Sequence, residues 1–210
     1  MNRLLIGKKA LVTGGGTGVG RGIARRLLQH GAHVTLAARR MEVLEATAQQ
    51  LRSEIDAATL EIAQCDVTQE EEVAAAVARA AGDDGRLDIA VANAGSGAPG
   101  PILLLGADPW RFVNDLNIVG TALTIKHAGL AMKEHGGSIV TISSVEGAKV
   151  ARYMAPYTVS KAALEALTRC AALELAAFGV RVNCIRPGFV PTEGTALAFD
   201  EDEAAGLIDI

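Results

Sequence analysis

Six short apolar runs alternate with five longer amphipathic stretches along this chain, and that rhythm leaves few ways to fold. Residues 9–13, 33–37, 60–64, 87–92, 138–143 and 180–185 read as buried strands. Between them, residues 19–30, 41–54, 70–81, 108–134 and 155–178 read as helices. Thr68-Gln69-Glu70-Glu71 has the form of a capping box opening the third helix, and Asp108-Pro109 that of an N-cap followed by proline opening the fourth. Leu164, Leu167, Ala171, Leu175 and Phe178 make one stripe along the last helix, which Gly179 closes. The fold class that follows is α/β, with one doubly wound parallel sheet of Rossmann type and helices on both faces. No repeat, low-complexity stretch or linker divides the chain, so residues 1–210 are expected to form one domain with its core over about 8–192.

Ligands of such sheets bind beyond the carboxyl ends of the strands, where the strand order reverses. The turn after the first strand is Thr13-Gly14-Gly15-Gly16-Thr17-Gly18-Val19-Gly20. Glycines there allow a tight turn and a close approach of backbone to a diphosphate, which the following helix N-terminus stabilises. Arg21-Gly22 stands where a P-loop needs Lys and Ser/Thr, and no GxGxxG runs through these glycines. The second strand ends Ala37-Ala38-Arg39-Arg40. An NAD site places an acid about 20 residues beyond the glycines, and an NADP site an arginine. Arginines occupy that place, so NADP(H) is the expected cofactor, with Arg39 the stronger candidate and Arg40 as open to a solvated role.

The charge distribution agrees with a phosphorylated ligand. Residues 1–41 carry Arg3, Lys8, Lys9, Arg21, Arg25, Arg26, Arg39 and Arg40 and no acid, although the net charge is −4. An acidic total with 3% aromatics argues against a nucleic-acid surface. No apolar run approaches the roughly 18 residues of a membrane span, and no secretory signal is evident. Cys65, Cys170 and Cys184 are widely spaced in apolar surroundings, which predicts buried, reduced thiols and a cytoplasmic location. His30, His33, His127 and His135 have no metal-ligand spacing, so no metal is expected.

Tyr157 and Lys161 lie four residues apart at the head of the last helix, on one face, with Ser144 thirteen positions upstream. An ammonium beside a phenol stabilises the phenolate and lowers a pKa that starts near ~10. A tyrosine so tuned can exchange protons with a carbonyl or hydroxyl. Packing roles for Tyr157, a solvated Lys161 and a strand-end Ser144 are the plainer alternatives, and Ser143 competes with Ser144.

Taken in order, the glycine pattern, Asp66-Val67, Asn93-Ala94-Gly95, Asn117, Ser144, Tyr157-x-x-x-Lys161 and Pro187-Gly188 resemble the short-chain dehydrogenase/reductase family, from about Lys8 to Thr192. The resemblance implies Tyr157 as general acid or base and Lys161 as its tuning partner and holder of the nicotinamide ribose. It implies Ser144 as the group polarising the substrate oxygen and Asn117 as anchor of a water leading to Lys161. Gly14, Gly16, Thr17, Gly18, Val19, Gly20, Ala38, Arg39, Arg40, Asp66, Val67, Asn93, Ala94, Gly95, Pro187, Gly188, Val190 and Thr192 would line the cofactor, with Asp66 at the adenine. It also implies a small carbonyl or alcohol substrate and a homo-oligomer, dimer or tetramer, formed through the last two long helices. Substrates from acyl-carrier β-ketoacyl groups to steroids, sugars and other small carbonyls stay open. So does a non-catalytic nucleotide-binding role on the same fold.

Two departures stand out. Ala92 replaces an asparagine common in the family, and the chain stops at Ile210 where relatives continue through a substrate lid, a helix and a seventh strand. Residues 193–210 are therefore expected to be the start of a lid or a mobile tail; either the sequence continues beyond Ile210 or the lid, the seventh strand and their subunit interface are missing.

Overall fold

The structure is a computed structural model and describes residues 3–192. The six expected strands form: β1 (Lys9–Thr13), β2 (His33–Ala38), β3 (Leu60–Gln64), β4 (Ile89–Ala92), β5 (Gly137–Ile142) and β6 (Val180–Ile185). All are parallel, in the order β3-β2-β1-β4-β5-β6, so the chain reverses direction across the sheet between β1 and β4. The reversal opens a crevice at the carboxyl ends of those two strands.

Helices α1 (Gly18–Gln29) and α2 (Met41–Glu54) cover one face of the sheet, burying Ala24, Leu28, Leu44 and Leu51 against Ala10, Val12, Val34 and Leu36. On the opposite face lie α3 (Glu70–Ala81), α5 (Gly120–Met132) and α6 (Ala155–Leu175), with Val73, Val77, Met132 and Ala171 packed on Leu11, Ala90, Ile139 and Val182. Alternate residues of β1 thus serve two cores, which explains why a parallel strand reads as a continuous apolar run. Gly179, at φ +67°, takes the left-handed conformation that ends the last helix through a short 3₁₀ turn.

Several details differ from the sequence reading. Residues 108–134 are not one regular helix: α4 (Ala107–Asn114) passes through a π-helical turn, Asp115–Val119, into α5. Asp108 lies inside α4, which starts after Gly106. Thr68 does not cap α3; its hydroxyl donates to Asp66 Oδ1 at 2.8 Å, and the Asp66 backbone N–H goes to Glu72 Oε2 at 2.7 Å. A nearby carboxylate competes for the threonine more strongly than the helix end does. Phe178 is half exposed rather than part of the buried stripe, because the chain has tightened into the 3₁₀ turn there. Of the cysteines only Cys65 is buried; Cys170 is exposed on α6 and Cys184 half-buried on β6. No described helix is long and apolar enough to cross a membrane. The expected lid or tail, and the question of a seventh strand, lie outside the described residues.

Candidate active site

The glycine turn is shaped by contacts that only glycine permits. Gly14 and Gly18 have φ of +63° and +50°. A Cβ on Gly20 would stand 2.3 Å from the Gly14 carbonyl oxygen and 2.6 Å from Asn93 Nδ2. Asn93 in turn donates through Nδ2 to the carbonyls of Thr13 and Gly14, at 3.0 and 3.2 Å. The Thr13 hydroxyl accepts the backbone N–H groups of Asn93 and Ala94 and lies 3.3 Å from the Val91 carbonyl. These bonds tie the end of β1 to the end of β4 across the switch point. Thr47 adds a 2.6 Å bond from α2 to the Gly16 carbonyl.

Beside this turn runs a groove of about 230 Å³. Gly14, Gly16, Thr17, Ala38, Arg39, Arg40, Asp66, Val67, Ala94 and Gly95 line it. Arg39 and Arg40 are exposed, and among the described residues neither guanidinium pairs with a carboxylate. Gln64 Nε2 holds the Arg39 carbonyl at 3.1 Å. The wall also contains Val43, Cys65, Ser96 and Leu116, which sequence reasoning missed. Leu116 and Ser96 adjoin predicted residues, whereas Val43 enters only through the docking of α2. Gly20 and Asn93 brace the turn from behind instead of lining the groove. Gly18, Val19, Val190 and Thr192 border a larger, mainly apolar cavity of about 880 Å³ along α1. Ser144, Tyr157 and Lys161 do not line that cavity.

At the far end of the groove, β5, α6 and the π turn converge. Ser144, just beyond β5, caps a 3₁₀ turn over Val145–Gly147, its Oγ accepting the Glu146 backbone N–H at 3.2 Å. The Ser144 hydroxyl stands near the Tyr157 phenol and favours its ionised form. Lys161 reaches back from the next turn of α6, its Nζ 5.4 Å from the centre of the Tyr157 ring and donating to the Ile142 carbonyl at 2.7 Å. Gly95 closes the gap from the groove: a Cβ there would meet Asn117 Oδ1 at 3.0 Å and Lys161 Nζ at 3.4 Å.

Asn117, fully buried in the π turn, accepts the Ser96 N–H at 3.0 Å and donates to the Ser96 carbonyl at 3.0 Å and Ser160 Oγ at 2.8 Å. The extra residue of a π turn aims the amide inward, and such turns recur at functional sites. Ser143, the competitor of Ser144, points into the protein, donating to Glu165 Oε1 at 3.0 Å. The neighbouring Arg186–Glu165 ion pair clamps the start of the Pro187-Gly188 turn to α6. The Pro187 carbonyl also accepts the Val145 N–H at 2.9 Å.

Electrostatics correct one expectation. Lys161 does not bring the Tyr157 phenol down. Burial pushes it up, aided by the negative charge of Glu146, and the Ser144 hydroxyl opposes this only in part. Lys161 is itself held down to about 8 by burial. The arrangement is a protonated phenol near a hydroxyl, backed by an ammonium that gives up its proton easily. Such a set can deliver or take one proton at a point beside the groove.

Glycine-lined walls, a helix N-terminus and exposed arginines suit a phosphorylated dinucleotide: the spaces beside Gly14, Gly16 and Gly95 are ones that side chains would fill. Fold and site together define an α/β protein of dinucleotide-binding type, with a glycine-lined groove at the sheet's switch point. The chain belongs to the short chain dehydrogenase family, whose model matches residues 8–203. It is 39% identical over 186 residues to cis-4-hydroxycyclohexanecarboxylate dehydrogenase of Sinomonas cyclohexanicum, covering 87% of this chain and 73% of that one. A short-chain type dehydrogenase/reductase from Mycobacterium ulcerans superposes with a TM-score of 0.91 at 36% identity, over 96% of this chain and 74% of the other. An F189W actinorhodin polyketide ketoreductase solved with NADPH superposes at 0.86 with 34% identity, over 91% and 74% of the two chains. The chain thus spans about three quarters of the length of these proteins. It is an oxidoreductase of a family that works with a nicotinamide dinucleotide on small molecules.

Proposed function

We propose that this protein interconverts a carbonyl and a secondary alcohol with NADP(H), Tyr157 carrying the proton. The observation that carries this reading is the placing of Lys161 Nζ 5.4 Å from the centre of the Tyr157 ring, with Ser144 near the phenol, at the end of a glycine-lined groove. When bound, the nicotinamide supplies or accepts the hydride. In reduction, Ser144 holds and polarises the carbonyl oxygen while Tyr157 gives that oxygen its proton. A phenol kept protonated by burial is poised for that direction. Lys161 replenishes the proton and holds the ribose hydroxyls. Asn117 fixes Ser96 and Ser160 around Lys161, the place from which a proton relay to water would start.

The turn from Gly14 through Gly16, Thr17, Gly18 and Val19, shaped by Gly20, holds the diphosphate. Ala38, Arg39 and Arg40 take the adenosine 2′-phosphate. Asp66 and Val67 meet the adenine, and Asn93, Ala94 and Gly95 form the floor. Pro187, Gly188, Val190 and Thr192 border the nicotinamide end. The three free thiols suit a reducing, cytoplasmic compartment. Half-exposed Phe112, Val119 and Val159 on α4, the π turn and α6 offer apolar surface for a homo-oligomer.

A panel of ketones and secondary alcohols, followed by NADPH and NADH absorbance, tests the reading. Turnover with NADPH favoured about tenfold or more is expected, and Arg39→Asp should shift the preference toward NADH. Nucleotide binding without turnover across the panel, or a preference untouched by Arg39→Asp, would overturn it.

A further inference from the structure

Glu146 lies between Ser144 and the first turn of α6, with no part in the scheme above. It follows Ser144 by two residues, and its backbone N–H is held by Ser144 Oγ at 3.2 Å. Its Oε2 lies 3.4 Å from Thr158 Oγ1 on the first turn of α6, next to Tyr157. Its main chain is therefore fixed to one hydroxyl of the proton-handling pair, and its side chain rests on the turn that carries the other. The charge is felt at the phenol, where it opposes ionisation.

What Glu146 lacks is a cation. Asp88 is paired with Lys8 and Arg86, and Glu165 with Arg186, but no Lys, Arg or His among the described residues pairs with Glu146. Burial accordingly raises its own carboxyl, against only the long contact with Thr158. A half-buried carboxylate without a counter-charge costs free energy, and such groups collect at functional sites. The N-terminus of the 21-residue α6, with no acid in its own first turn, offers some compensation, worth up to about 1 kcal/mol. That dipole does not account for an acid placed where it burdens the reacting phenol.

We infer that Glu146 determines substrate specificity: its carboxylate receives a hydrogen-bond donor, hydroxyl or ammonium, carried by the substrate near the reacting carbon, and rejects a carboxylate there. The inference rests on the proposed function, because it takes Tyr157 and Ser144 as the place where the carbonyl sits. A buried polar group built to meet a donor discriminates strongly against ligands that lack it.

The test uses 4-aminocyclohexanone and 4-oxocyclohexanecarboxylate, one ring with opposite charges, titrated calorimetrically into the full chain with NADP+ so that no turnover occurs. The ammonium ketone should bind at least about tenfold more tightly than the carboxylate ketone, a difference of about 1.4 kcal/mol. Glu146→Gln should bring the two within about threefold, and Glu146→Asp should keep the preference. Equal binding in the unaltered protein, binding of neither ketone, or a preference that survives Glu146→Gln would overturn the inference. The last result together with a lowered Tm would mark Glu146 as a partner of the α6 dipole only. Reduction of the same ketones with NADPH is measured separately. A charge preference that Glu146→Gln removes, in a protein that reduces neither ketone, would contradict the proposed reaction and leave the charge assignment standing.

Discussion

Lys161 is the residue at which stability and chemistry pull in opposite directions. Only 4% exposed, its ammonium has the Ile142 carbonyl as acceptor and the Tyr157 ring beside it, and its pKa falls from 10.5 to about 8. A lysine depressed on folding contributes its stabilisation above the unfolded value and loses it as the pH falls through the folded one. At pH 7 the folded chain therefore bears a charge that burial disfavours. Lys161→Met should raise stability at pH 7, by about 2 kcal/mol after allowance for the orphaned Ile142 carbonyl, while removing turnover. The gain should shrink as pH rises from 8 toward 10.5. Urea unfolding at pH 7 and pH 10 reads both effects, and a variant less stable than the parent at pH 7 would contradict them. The four-residue spacing of Tyr157 and Lys161 was visible in the sequence, but the sign of the tyrosine shift was not. That sign depends on how deeply the ring is buried and on Glu146, a charge brought in by the β5–α6 loop rather than by helix periodicity.

At the scale of elements, the glycine turn and the helix carrying Asn117 illustrate what local pattern can and cannot reveal. The sequence placed the turn correctly because a strand, a glycine cluster and a helix follow one another. It gave no means of separating glycines that line the groove from Gly20, which is needed for the close approach of α1 to Gly14 and Asn93. Gly20→Ala forces a Cβ against backbone that cannot swing aside. It should destabilise the protein by about 1–3 kcal/mol and abolish NADPH binding. A thermal melt with and without NADPH checks this, and an unchanged Tm with an intact nucleotide shift would refute it. The π turn was beyond reach, since residues 108–134 keep a helical pattern on either side of it. The misread caps at Thr68 and Asp108 have a common cause: each motif was read from spacing, whereas the competing partner of Thr68, Asp66, belongs to the loop geometry after β3.

For the whole molecule, the alternation of strands and helices, with β1–β4 crossing at the switch point, was enough to gather residues from widely separated segments at the carboxyl ends of the strands. Asn93, Asn117, Ser144 and Tyr157 are far apart in sequence, and only the strand order brings them together. The apolar surface of α4, the π turn and α6 leads to a related expectation, that the protein sediments as a dimer or tetramer; a monomer at micromolar concentration would overturn it. The central claim, that Tyr157 moves the proton in a hydride-transfer reaction, is tested most directly by Tyr157→Phe. The ring and its packing stay, and only the hydroxyl is lost. Ketone reduction should fall about 10³-fold while the NADPH dissociation constant stays within about threefold. Turnover close to that of the unaltered protein would contradict the account.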